Sequence, residues 1–324
     1  MVAVVVTHPS PDDPLAALEV RDRAPEPVVS PPEDWVPVTV RAASLNHHDV
    51  WSLRGVGLPA DRMPMVLGSD AAGVGPDGEE VVVHGVISQP GWTGDETEDP
   101  RRSLLSERYP GTFADTVLVP ARNLVPKPPE MSFEDAACLP VAWLTAYRML
   151  FVRGGCVPGQ TVLVQGAGGG VATALTALGS AAGLRVWVTS RDEGKRERAL
   201  ALGADAVFET GARLPDRVDA VMETVGEATW AHSLRALRPG GTLVVSGATS
   251  GASPPADLQR VFFLQLRVVG STMGTREELQ RLLRMCVTTG VRPLVDSVLP
   301  MADARDAVER MVRGEVEGKL VLTP

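Results

Sequence analysis

The sequence predicts an α/β protein, with a doubly wound parallel sheet following a β-rich segment. Three observations carry this prediction. The hydrophobic rhythm changes near Ser132, strands and helices alternate after it, and a glycine cluster joins a strand to a helix in VLVQGAGGGVATAL, residues 162–175.

The elements follow in order. MVAVVVTHPS lacks a basic stretch and is too short in apolar residues for a secretion signal, so it reads as a first strand. VPVTVRAAS, EEVVVHGVI and FADTVLV are further short β-like runs. They are set apart by the turn signals Pro31-Pro32, Pro76-Asp77-Gly78 and Pro110-Gly111. The first 125 or so residues therefore form an irregular, mostly antiparallel β region, and Gln89–Arg108 reads as a long surface loop. MSFEDAACLPVAWLTAYRMLFVRG has helical spacing interrupted at Pro140. TVLVQ, RVWVTS, DAVFE, DAVMETVG, GTLVVSGAT and LRVVGST are then strands, and VATALTALGSAAG and EGKRERALALG are helices. Such alternation implies a parallel sheet covered on both faces. The tail predicts a helix over 276–289, an extended VDSVLP, a helix over 302–313 and a last strand KLVLTP.

Bulk chemistry excludes several classes. A net charge of -9 argues against nucleic acid as a partner, because phosphate contacts need a basic surface. No apolar run approaches the roughly 18 residues of a membrane span. Cys138, Cys156 and Cys286 are odd in number and form no CxxC pair, so neither a disulfide framework nor a cysteine zinc site is expected. A reducing cytoplasm is the expected location, and buried apolar packing the expected role of each cysteine.

The glycine cluster points to a dinucleotide. Gly166, Ala167, Gly168, Gly169, Gly170 and Val171 sit where a tight turn enters a helix N-terminus, which offers free N–H groups to a pyrophosphate. The strict G-x-G-x-x-G spacing fails at Val171, but Gly166, Gly169 and Ala172 fit a looser version. NAD sites usually end the next strand in an acid that grips the ribose 2′-hydroxyl. Here that strand ends in Ser190-Arg191, and Lys195 follows one helical turn later. Ser190 removes a repelling charge and the two cations can meet a 2′-phosphate, so NADP(H) is the expected coenzyme.

At this point the chain resembles the medium-chain dehydrogenase/reductases, in particular their zinc-free quinone oxidoreductase-like branch. The resemblance rests on LNHHDVWSLRG, PMVLGSDAAGVG, DGEEVVVHG, GTFADTVLVPARNLVPKP, LPVAWLTAYRML, PGQTVLVQGAGGGVATAL, LGADAVFE, VDAVMETVG, LRPGGTLVVSGATSG and GEVEGKLVLTP, in that order and over nearly the whole length. It implies a GroES-like β-rich catalytic domain from 1–125 and 272–324, with a Rossmann domain over 126–271.

Zinc-dependent members place ligands where this chain has Asn46, Ser69 and Val141, and residues 85–112 lack the four cysteines of a structural zinc lobe. Neutral Asn and Ser are poor zinc partners and Val is none. No metal is therefore expected; a residual site would need His47 or His48 with Asp70. In an extended segment the two histidines would point in opposite directions.

By resemblance the segment lines the substrate cleft. Asn46 would bond substrate or coenzyme ribose, His47 or His48 would reach the ribose or the reacting oxygen, and Asp49 would orient them. Thr145, Gly247, Ala248 and Thr249 would meet the nicotinamide end. Tyr109 stands on the loop within possible reach, whereas Tyr147 reads as packing. Trp51, Leu53 and Met63-Pro64-Met65 suggest a partly apolar cleft. Without a Lewis acid, electron-poor acceptors such as quinones and α,β-unsaturated carbonyls are favoured over plain ketones or alcohol oxidation. The alternatives are a zinc-free alcohol dehydrogenase or ketone reductase, and a non-catalytic NADPH-binding protein. The apolar run VFFLQLRVVG, 261–270, reads as an edge strand that needs cover; the resemblance implies pairing across a homodimer, the alternative being a helix or loop of the same chain.

Overall fold

The computed structural model describes residues 2–324. It forms two compact units. One comprises Met1–Ala142, Met273–Thr288 and Val295–Pro324, the other Trp143–Thr272 and Thr289–Leu294. The first boundary falls later than residue 125 because the helix Phe133–Ala137 packs on the strands Val36–Ser44 and Asp70–Val74 of the first unit.

The first unit is the GroES-like one. Its main sheet has seven strands, in the order Leu124–Pro126, Glu80–Val83, Asp70–Val74, Val36–Ser44, Lys319–Thr323 and Val295–Pro300, with Thr116–Val119 also paired to Val36–Ser44. The C-terminal strand enters this sheet antiparallel, setting Val321 against Ser44. Along Val36–Ser44 exposed Pro37, Thr39 and Arg41 alternate with buried Val38 and Val40, the period-two pattern of a half-covered strand. The register then shifts between Val40 and Ala42, and Ala42, Ala43 and Ser44 are all buried. This irregularity takes the end of the strand inward, a common use of a bulge beside a site.

The second unit is a Rossmann sheet of six parallel strands. Their order is Ala206–Phe208, Arg185–Thr189, Thr161–Gln165, Val218–Glu223, Leu237–Val245 and Arg267–Gly270. Every residue of Thr161–Gln165 is buried, as expected for a central strand covered on both faces.

Several expectations change. Residues 261–270 are not one edge strand. Leu258–Phe263 is a helix, Gln265 turns at φ 52°, and only Arg267–Gly270 forms the edge. The apolar exposure lies on that helix, with Leu258, Phe262 and Phe263 70%, 69% and 77% exposed. Pro140 does not break its helix: the chain continues through wide π-type turns at Leu139–Trp143 and Arg148–Arg153, in which the usual i→i−4 pattern is relaxed. Gln89–Arg108 is anchored rather than free, since Ser103–Leu104 pairs with Val86–Ile87 and residues 103–106 are buried. Tyr109 packs on Trp35 at a ring separation of 4.6 Å, and Leu53 and Met65 belong to the core.

Candidate active site and coenzyme loop

LNHHDVWSLRG is not extended. His47–Leu53 is a helix with Asn46 at its N-cap. Asp49 closes the first turn from below, its carboxylate accepting from the Asn46 N–H at 2.8 Å and from the Gly68 N–H at 3.1 Å. Gly68 is held at φ +94°, and a Cβ there would lie 2.4 Å from the Phe113 ring. Burial pushes the Asp49 carboxyl up to about 6, against the pull of His48, the Asn46 N–H and Lys319.

The Asn46 side chain is buried and its amide is engaged with Lys319 and Asp70. Its Oδ1 accepts from Lys319 Nζ at 2.6 Å, and its Nδ2 donates to Asp70 Oδ2 at 2.8 Å. Lys319 also donates to the Leu45 carbonyl at 2.6 Å and to Asp70 Oδ2 at 3.2 Å, and the Ser44 hydroxyl donates to the same Oδ2 at 2.7 Å. Lys319 is 2% exposed, and Asp70 and Ser44 are fully buried. Asp70 Oδ1 has no partner. Further hydrogen bonds offset the cost of burying an ion pair, and here the ammonium's three protons are all used while one carboxylate oxygen stays unmet.

This donor set does not fit zinc. The amide oxygen that would face the metal already carries an ammonium, so a dication there would lie against a fixed positive charge. Ser69 donates to the Leu105 carbonyl at 2.9 Å, and Val141 has no donor atom. Among the described residues no group of three or more His, Cys, Asp or Glu could hold a metal ion. The three cysteines are buried thiols, and burial pushes the Cys138 and Cys156 thiols up to about 12.

The two histidines differ in environment. His48 is half-buried and pairs through Nε2 with Glu107 at 3.1 Å, while its Nδ1 is buried without a partner. Burial opposes its protonation, but the Glu107 bond and the charges of Asp49 and Glu107 outweigh this, and its pKa is raised. Burial also works against the Glu107 charge, and His48 together with the Leu104 N–H holds that carboxyl below its ordinary value. His47 is exposed and meets Trp51 edge-on at 6.2 Å. Burial of part of its ring, and then the Arg54 charge, lower its pKa, so it is neutral at pH 7.

The second unit holds the glycine loop. Gly166 has φ +85°, a conformation that L side chains rarely adopt. A Cβ on Gly168 would lie 2.8 Å from Lys195 Cδ, which places the Lys195 stem over the loop. Nothing lies within 4 Å of a Cβ on Gly169, the N-cap of the helix Gly170–Ala181, and Ala167 and Val171 flank it. That open backbone ahead of a helix N-terminus fits a pyrophosphate. At the tip of Arg185–Thr189, Ser190 is buried and Arg191 exposed. Arg196 Nη1 donates to the Ser190 carbonyl at 2.7 Å, fixing the turn. Asp192 caps the following helix, its Oδ1 accepting from the Lys195 N–H at 2.8 Å. Thr145 is buried in the helix Leu144–Tyr147. Gly247, Ala248 and Thr249 follow Leu237–Val245, and Gly247 packs against Thr224 so closely that a Cβ would lie 2.8 Å from its carbonyl oxygen.

Sequence reasoning missed Ser44, Lys319, Glu107 and a network under these strand tips. In that network Thr189 donates to Gln165 Oε1 at 2.6 Å, Gln165 Nε2 donates to Ser233 Oγ at 3.0 Å, and Ser233 donates to Glu223 at 2.6 Å. The available signal for Lys319 was a lone charge at the start of an apolar strand, which must find acceptors when buried.

The sequence matches the family models "Alcohol dehydrogenase GroES-like domain" over residues 32–129 and "Zinc-binding dehydrogenase" over residues 170–288. A crystal structure described as an NAD-dependent alcohol dehydrogenase is 34% identical, with a TM-score of 0.88, each chain covered in full. The 2-methylene-furan-3-one reductase of Solanum lycopersicum is 30% identical, over 90% of this chain and 72% of that one. The 2-octenoyl-CoA carboxylase reductase CinF, solved in complex with NADP and 2-octenoyl-CoA, is 25% identical with a TM-score of 0.89, over 99% of this chain and 87% of that one. The chain belongs to the medium-chain dehydrogenase/reductase superfamily. It is an oxidoreductase with a nicotinamide coenzyme.

Proposed function

We propose that this protein is an NADPH-dependent, zinc-independent reductase of electron-poor carbonyl compounds, α,β-unsaturated carbonyls or quinones. The observation that carries the reading is the locked contact between Lys319 and Asn46, which takes the place of a ligand set. Acceptor polarisation then falls to hydrogen bonds, and acceptors that need least help are the best substrates. Relatives described as acting on 2-methylene-furan-3-one and 2-octenoyl-CoA point the same way.

NADPH supplies a hydride. The loop at 166–171 holds its pyrophosphate, and Ser190, Arg191 and Lys195 take the 2′-phosphate. Thr145, Gly247, Ala248 and Thr249 serve the nicotinamide end. Hydride addition to the β-carbon of an enone leaves an enolate, and a proton from solvent completes the product at the α-carbon. The exposed, neutral His47 donates a hydrogen bond to the enolate oxygen, a contact worth roughly ten- to a thousandfold in rate. Asp49 and the His48–Glu107 pair position that helix.

The edge strand Arg267–Gly270 and the exposed helix Leu258–Phe263 suit a homodimer, and three buried thiols suit a reducing cytoplasm. No helix of the described residues is long and apolar enough to cross a membrane. The likeness to an NAD-dependent alcohol dehydrogenase favours a second reading, alcohol oxidation or ketone reduction. NADPH and NADH consumption across enones, quinones, ketones and alcohols, beside elemental analysis, decides between them. Turnover of enones with NADPH and no bound metal is expected. Metal-dependent alcohol oxidation, or coenzyme binding with no turnover of any acceptor, overturns the reading.

A further inference from the structure

His47, Trp51 and Arg54 fall at i, i+4 and i+7, so they share one face of the helix that Asn46 caps. The other face is core, through Val50 and Leu53. The far end of the helix is clamped. The Leu53 carbonyl accepts from the Ser10 N–H at 2.9 Å, and Gly55, at φ +80°, lies so close to Pro9 that a Cβ would sit 2.7 Å from that residue's own. The backbone that carries Arg54 is therefore fixed.

The Arg54 side chain is not neutralised. Its guanidinium lies over the Trp51 ring, 5.4 Å from the centroid. Its Nε is buried with no hydrogen-bond partner, and among the described residues no carboxylate pairs with it. A guanidinium keeps its charge at any physiological pH. Nε is shut away from solvent, so it is the terminal guanidinium nitrogens that a ligand oxyanion would meet. His47 adds a second donor 6.2 Å from the same ring. An aromatic face between two donors, one permanently cationic, suits a short apolar chain ending in a planar oxyanion.

We infer that Arg54, with Trp51 and His47, forms a subsite for a carboxylate carried by the acceptor, so that the preferred substrate is an unsaturated keto acid rather than a neutral enone or quinone. The inference rests on the proposed reductase reading for its catalytic consequence, but not for binding.

The test uses acetylacrylate, an enone acid, and its methyl ester. Calorimetric titration of each into the wild-type chain, Arg54→Lys and Arg54→Met gives affinities without turnover, and NADPH consumption gives kcat/KM. The wild type is expected to bind the acid at least about tenfold more tightly than the ester. Arg54→Met is expected to remove that preference, and Arg54→Lys to keep part of it, since the charge remains but the fork is lost. Equal binding of acid and ester by the wild type overturns the inference. So does an equal loss of both ligands in a folded Arg54→Met. Preference for the acid without turnover of either compound would retain the subsite and sink the reductase reading; turnover of both with no preference would do the reverse.

Discussion

Replacing Lys319 by Met is the sharpest test of the buried cluster. The substitution keeps much of the side-chain length but removes three hydrogen bonds, to Leu45, Asn46 and Asp70. It leaves the Asp70 carboxylate fully buried, with only the Ser44 hydroxyl and Asn46 amide to hold it and Oδ1 already unpartnered. Breaking a buried pair by removing one partner costs about 3–5 kcal/mol, because the remaining charge cannot be hydrated. Lys319→Met should therefore lose stability in that range, measured by urea unfolding followed through circular dichroism. Asp70→Asn in the same background should restore about 2–3 kcal/mol, because the orphan charge is then gone. A loss below about 1 kcal/mol, or no recovery in the double variant, would refute the view that charge compensation organises this site.

Three further outcomes follow from the same geometry. Gly166→Ala places a side chain at φ +85°, so it should destabilise by about 1 kcal/mol and weaken NADPH binding several-fold in a fluorescence titration. Asp49 is an acid whose folded pKa, about 6, lies above its ordinary 3.8, so its contribution favours folding below about 3.8 and is lost as pH rises through 6. Relative to Asp49→Asn, the wild type should lose up to about 3 kcal/mol between those limits, read by denaturant unfolding at several pH values. The His48–Glu107 pair has the opposite members: the raised His48 favours folding below 6.5 and loses effect above its folded pKa, while the lowered Glu107 favours folding above 4.5. Glu107→Gln should lower the His48 pKa in an NMR titration, since only the Asp49 charge then opposes the effect of burial.

The coenzyme half was legible because its determinants are local. Strand, glycine turn and helix occupy one contiguous stretch, and periodicity with glycine spacing states them directly. Residues 261–270 misled for a related reason: apolar content alone does not separate a short exposed helix from a strand, and Gln265 at positive φ divides the two without a glycine to announce it. LNHHDV read as extended because no residue from Asn46 to Ser52 is a good helix former; its helix is set by Asp49 bonding back to Asn46 and forward to Gly68, the second a contact the pattern does not contain.

The site itself was legible only by subtraction. Asn46, Ser69 and Val141 announce that no metal is held in the usual way, but they do not announce what replaces it. The replacement comes from Lys319, separated from Asn46 by 273 positions and delivered by the pairing of the last strand with Val36–Ser44. That pairing depends on side-chain alternation, which is silent about charge. A buried ammonium can be inferred only when a strand that must be internal carries a lysine, and the sequence near residue 319 meets that condition: four of the five residues in Lys319–Thr323 are buried, the lysine among them. Once the strand is placed, the ammonium needs acceptors at its own end of the sheet, and Asn46 and Asp70 are what that end provides. The same reasoning leaves Arg54, the residue that ends the His47–Leu53 helix, as its notable cation, charged, half-buried and without an acid of its own.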